Sequence, residues 1–169
     1  MVDIEADGPV PGIDMYSMIE IGAVVVEHQL NRFFHDYLKP ISNNYSQEAL
    51  DSINCTRQKT LEYENPEVTM INFNNWLKSL GDKLIFISDN NGFDWQFVNY
   101  YMHKFIGSNI FGFSSQNLGS LTKGLDRNLK SSRHKKLRKT LHTHNSLDDA
   151  MGNAEALLIL NKEFNLGII

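Results

Sequence analysis

Asp3 and Glu5 stand two apart with Ile4 between them, at the head of a stretch that is otherwise apolar from Met1 to Ala6. On a β-strand, side chains two apart share a face, so the two carboxylates would project together from Cα atoms about 7 Å apart. Carboxylates so placed repel one another unless a cation or a proton sits between them. A frayed acidic terminus could carry the same residues, so their meaning depends on what the rest of the chain brings to them. One further acid is Asp94, which heads a helical stripe with Val98, Tyr101 and Phe105 at offsets of four, seven and eleven. A first-turn acid gains a few tenths to about 1 kcal/mol from the helix dipole, but that does not account for one aimed inward.

The remaining chemistry lies in residues 142–150, HTHNSLDDA. His144 offers an imidazole that exchanges a proton near neutral pH, with His142 two positions earlier. Asp148 and Asp149 both fall off the apolar stripe of the helix that follows, and Ser146 with Asp149 matches a capping box. Helical periodicity does not choose between the two aspartates.

These residues need a scaffold, and hydrophobic patterning predicts one. Residues 1–5 form a first strand, ended by the Gly- and Pro-rich segment 6–12. Residues 18–27 (MIEIGAVVVE) suit a strand buried on both faces, and residues 33–38 a third strand close enough for a hairpin. Helices are expected over residues 46–53, capped by Ser46, and from Pro66 to Gly81, with Thr69, Phe73, Trp76, Leu77 and Leu80 facing the core. A short strand over residues 83–88 then runs into a helix carrying Asp94 and ending near Ile106, which requires a crossover and a mixed sheet. Weakly extended residues 109–115, a short helix over 116–125 and a long one over 145–163 complete the chain. The 169 residues read as one domain, with no linker composition or internal repeat to divide them.

Composition narrows the function classes. Cys55 is the sole cysteine, which excludes an internal disulfide and suits a reducing compartment. No leader-like or membrane-length apolar run is present, so the expectation is a cytoplasmic protein without a membrane partner. The formal net charge of −4 does not suit a simple polyanion binder, yet residues 127–139 hold Arg127, Lys130, Arg133, Lys135, Lys136, Arg138 and Lys139 without a single acid. Beside an acidic metal site such a patch could track a phosphate chain.

In their order along the chain, Asp3, Glu5, Asp94, His144 and one of Asp148 or Asp149 resemble the DEDDh class of metal-dependent 3′-to-5′ exonucleases. Asp3-Ile4-Glu5-Ala6-Asp7-Gly8 is similar to that class's Asp-x-Glu-x-x-Gly motif, Asn90-Asn91-Gly92-Phe93-Asp94-Trp95 to its second, and His144-Asn145-Ser146-Leu147-Asp148-Asp149-Ala150 to its His-x-Ala-x-x-Asp-Ala. The resemblance spans nearly the whole chain. It departs at the start, where only Met1 and Val2 precede the first acid and family members usually have several apolar residues.

The resemblance selects Asp149 over Asp148 and implies an α/β, ribonuclease H-like fold: a five-stranded mixed sheet, its first three strands antiparallel, flanked by helices. It implies two divalent ions, Mg²⁺ or Mn²⁺, with Asp3, Glu5 and Asp149 holding one, Asp3 bridging to the second, Asp94 holding the second, and His144 as general base. It further implies single-stranded nucleic acid 3′ ends as substrate, gripped by the Ala6 and Asp7 backbone. Phe93, Trp95 and Tyr16 are expected as stacking surfaces, and Arg133, Lys135, Lys136 and Arg138 as phosphate contacts. Homodimeric relatives leave room for a homodimer, with the apolar tail Leu166-Gly167-Ile168-Ile169 serving an interface or the core. The competing functions are a catalytically silent nucleic-acid-binding module of the same fold, which the intact acids and His144 disfavour, and a small-molecule phosphohydrolase, which the basic run disfavours.

Overall fold

In β1 (Val2–Ala6) alternation does what it predicts: Val2, Ile4 and Ala6 are buried, while Asp3 and Glu5 share the opposite face. The structure is a computed structural model and describes residues 1–81 and 83–168. β2 (Met18–Val24) is buried along its whole length and pairs antiparallel with β1, setting Asp3 opposite Gly22 and Glu5 opposite Glu20. The register slips between Glu5 and Ala6, a bulge at the end of the strand that carries the acids. β3 (Phe33–Tyr37) completes an antiparallel sheet of three.

Three helices follow: α1 (Gln47–Ser52), capped by Ser46 as expected, the short α2 (Arg57–Thr60), and α3 (Pro66–Leu80). β4 (Phe86–Ser88) is half the predicted length, and α4 (Asn91–Ile106) springs from its end. β5 lies at Ser115–Asn117, so residues 109–114 supply turn rather than strand. Beyond it come α5 (Leu118–Leu125), α6 (Arg133–Leu137) inside the basic segment, and α7 (Ser146–Phe164).

The five strands fall into two hydrogen-bonded groups, β1-β2-β3 antiparallel and β4-β5 parallel, where one continuous sheet was expected. The cause is local. Met1 and Val24 exchange both backbone bonds, so the odd-numbered residues of β1 bond β2 and the Ile4 N–H points the other way. That N–H donates to the Asp94 carboxylate at 3.2 Å, so it does not enter a ladder with β4.

α3 and α4 cover the face of the sheet that bears Ile4 and Ile21, in one core with Phe73, Phe97 and Tyr101. α7 lies on the face that bears Asp3 and Glu5, and buries Ala154, Leu157 and Leu160 with Val24 and Leu118. Each buried leucine there contributes about 1.5–3 kcal/mol, which fixes the helix that ends at the acids. Leu166 packs against this second core, Ile168 is partly exposed, and Ile169 lies outside the described residues. Among the described residues no helix is long and apolar enough to cross a membrane.

Candidate active site

The N-terminus of α7 reaches the acids because Gly22 has no side chain. A Cβ at Gly22 would lie 2.3 Å from the Ser146 carbonyl carbon and 2.4 Å from the Leu147 nitrogen, so the helix rests directly on β2 opposite Asp3. Buried Glu20 holds it there, its Oε1 accepting from the Ser146 N–H at 3.0 Å and the Asn145 side-chain amide at 2.8 Å. The His35 Nε2 lies 2.8 Å from the same oxygen.

The cap of α7 is Asn145, whose side chain accepts from the Asp148 N–H at 3.1 Å, so the capping box expected of Ser146 and Asp149 does not form. The Asp149 carboxylate is left free for other work. Its Oδ1 accepts from the Thr143 N–H at 3.3 Å and lies 2.7 Å from His142 Nδ1 and 3.7 Å from the Arg138 guanidinium. Its Oδ2 is buried with no hydrogen-bond partner among the described residues. Asp148 accepts from the Thr143 hydroxyl at 3.0 Å, and of the two aspartates it is Asp149 whose carboxylate turns toward Asp3 and Glu5.

Asp3, Glu5 and Asp149 converge, with one oxygen from each lying within 4.8 Å of the others. Asp94, buried in the first turn of α4, is pinned beside them through the Ile4 N–H. Burial, then the neighbouring Asp94, Glu5 and Asp149, pushes the Asp3 carboxyl well above the ordinary range. Burial, then Glu20, Asp149 and Asp94, raises Glu5 to about 8, and burial raises Asp94 to about 7. Four crowded carboxylates facing one guanidinium, with a buried oxygen left unpartnered, form a nest of hard donors that fits divalent cations of the magnesium type.

His144 stands at the mouth, about half exposed, its Nδ1 4.0 Å from Glu5 Oε1. Its φ of 57° is left-handed and turns the chain from residues 142–144 into the cap of α7. His142, which the sequence does not separate from a bystander, packs edge-on against the His144 ring with centroids 4.3 Å apart.

The other expected contacts divide. Ala6 is buried, and Asp7 is wholly so: its N–H donates to the Ser17 carbonyl, its own carbonyl accepts from Ser46, and its carboxylate holds the Ser17 N–H and Arg57. Asp7 is thereby an anchor of the loop after β1, without a free donor for a sugar. Trp95 sets its ring edge-on to Phe86 at 5.0 Å and Phe93 packs on Phe97 at 5.2 Å, both against the core. Tyr16 covers Gly8, where a Cβ would meet its ring.

Arg133 is tied to Asp126 at 3.0 Å and to Glu163, bracing α6 on the end of α7. Arg138 is nearly buried between Asp89, at 3.2 Å, and Asp149. Lys135 and Lys136 alone of the four named bases are exposed. Sequence reasoning passed over Asp89, which also lies 2.6 Å from the buried His134 Nε2. Burial works against the Asp89 charge, but His134, Arg138 and Lys135 hold its carboxyl below the usual range. Its position directly after β4 was the available signal.

The family model RNase_T, described as Exonuclease, matches residues 1–157. The chain is 33% identical over 171 residues to the 3′-5′ DNA exonuclease Cap18 of Escherichia coli, covering 95% of this chain and 90% of that protein. The nuclease domain of 3′hExo, a DEDDh family member solved with bound rAMP, superposes with a TM-score of 0.74 at 15% identity over 96% of this chain and 90% of its own. E. coli ExoI, solved with zinc and single-stranded DNA, gives 0.71 at 16% identity over 99% of this chain, which spans 40% of ExoI. With its acids and histidine in the family's order and the family model running through all of them, the chain belongs to the DEDDh 3′-to-5′ exonucleases.

Proposed function

We propose that residues 1–169 form one exonuclease domain that removes nucleotides from the 3′ end of single-stranded nucleic acid, using two Mg²⁺ or Mn²⁺ ions. The observation that carries this is the meeting of Asp3, Glu5 and Asp149 oxygens within 4.8 Å beside buried Asp94. Asp3, Glu5 and Asp149 would hold one ion, Asp3 and Asp94 the other. When bound, such ions supply a water acidic enough to attack at neutral pH and charge to offset the attacking and leaving oxygens.

The chain's own residues do the rest. The Ile4 N–H fixes Asp94, Glu20 and Gly22 fix α7, and so Asp149 is presented to Asp3 rather than to solvent. His144, hinged at its left-handed φ and open to solvent, takes the proton of the attacking water and returns it to bulk. Arg138 offsets the excess negative charge around Asp3 and Asp149. Exposed Lys135 and Lys136 are the phosphate contacts kept from the basic run, and the E. coli relative's activity on DNA favours DNA over RNA.

The test uses matched DNA and RNA oligonucleotides labelled at the 5′ end, with Mg²⁺ or Mn²⁺ added. The expected product is a ladder shortening one nucleotide at a time from the 3′ end, abolished by Asp3→Asn. Binding without cleavage would identify a silent nucleic-acid-binding module instead.

A further inference from the structure

We propose that His142, His144 and Asp149 form a second metal site, one that takes zinc or a similar borderline transition ion and switches the nuclease off. One nitrogen from each imidazole and one Asp149 oxygen lie within 4.8 Å of one another. Zinc bonds of about 2.0–2.2 Å set tetrahedral ligand atoms roughly 3.3 Å apart, so modest ring movement brings all three into place. Both imidazoles are about half exposed at the mouth of the site, which leaves their rings room for that movement.

His142 is the residue that makes this site. Its Nδ1 already faces Asp149 Oδ1 at 2.7 Å, and its ring leans on His144 with centroids 4.3 Å apart. The Thr143 N–H holds the same Asp149 oxygen, fixing the strap that carries both histidines over the carboxylate. Asp149 is only 2% exposed, and among the described residues its Oδ2 has no hydrogen-bond partner, so the carboxylate has one oxygen for the neighbouring acids' cation while Oδ1 faces the imidazoles.

Ligand chemistry separates this site from the neighbouring one. Asp3, Glu5 and Asp149 offer only oxygen and suit magnesium or manganese, whereas imidazole nitrogen selects zinc, cobalt, nickel or copper. The inhibition rests on the proposed role of His144: an imidazole whose lone pair is given to zinc cannot accept a proton from water.

The test is a calorimetric titration of Zn²⁺ into the whole chain with Mg²⁺ held saturating, for the unaltered sequence and for His142→Ala and His142→Gln. One zinc per chain is expected, with affinity at least ~10-fold weaker in both variants, since losing even an outer-shell partner costs about 10–100-fold. Turnover in Mg²⁺, scaled to each protein's own zinc-free rate, should need at least ~10-fold more zinc for half inhibition in the variants. Equal zinc affinity in all three proteins, or no zinc uptake by the unaltered chain, overturns the site. A chain that takes zinc through His142 but never cleaves would fail the exonuclease proposal and leave the metal site standing.

Discussion

His144 and Asp149 show how much of a site can hang on a single side chain. The His144 Nδ1 stands 4.0 Å from Glu5 on a half-exposed ring, so its loss should leave the carboxylates in place. His144→Ala is expected to retain Mn²⁺ affinity within a factor of about three while turnover falls at least ~10²-fold, the usual contribution of a general base. Single-turnover rates at saturating Mn²⁺ measure this directly, and an unchanged rate would remove His144 from the chemistry. Asp3, Glu5 and Asp94 were legible because alternation and helical phase state which way a side chain faces. Asp149 was legible only through resemblance, since facing does not reveal which of two adjacent acids gives its carboxylate to the Thr143 hydroxyl and which turns toward Asp3 and Glu5.

Elements, more than residues, decide where those carboxylates meet. α7 approaches β2 to within backbone contact at Gly22, so Gly22→Ala must push the helix away or distort the strand. The variant should lose about 1–3 kcal/mol, as overpacked cores do, and turnover should drop by about 10²-fold, as for an ångström-scale misplacement of catalytic groups. Urea unfolding and nuclease rates on the same preparation check both; full activity in a normally stable variant would deny that contact its role. The three leading strands, the crossover and the long closing helix follow from patterns of period 2 and 3.6. The division of the sheet does not, because it depends on the Ile4 N–H bonding a carboxylate 90 residues away. The basic run is similar: its charge is visible in the sequence, whereas the pairing of Arg133 with Asp126 and Glu163 and of Arg138 with Asp89 depends on how α6 docks.

For the molecule as a whole, the acids are a standing cost to the fold. Glu5 is raised from 4.5 to about 8 and Asp94 from 3.8 to about 7, chiefly by burial, so between roughly pH 4 and 8 the folded chain holds protons that the unfolded chain has released. Stability linked to these groups is therefore fullest below pH 4 and is lost as pH rises through 7 to 8. Divalent ions should reverse that loss by binding the deprotonated carboxylates of the folded state alone. The metal-free midpoint is expected to fall between pH 5.5 and 8, and Mn²⁺ should raise it more at pH 8 than at pH 5.5. The difference should be at least ~1 kcal/mol, about 2–4 °C for a chain of this size. Differential scanning calorimetry at the two pH values settles the sign, and a midpoint that climbs with pH without metal would contradict it.

The central claim is that acids from β1, α4 and α7 jointly hold two cations. Counting bound Mn²⁺ by electron paramagnetic resonance during a titration tests it most directly. Two ions per chain are expected for the unaltered sequence and fewer than two for Asp94→Asn and Asp149→Asn. A folded chain that leaves all the Mn²⁺ free, or variants that bind as many ions as the parent, would contradict it.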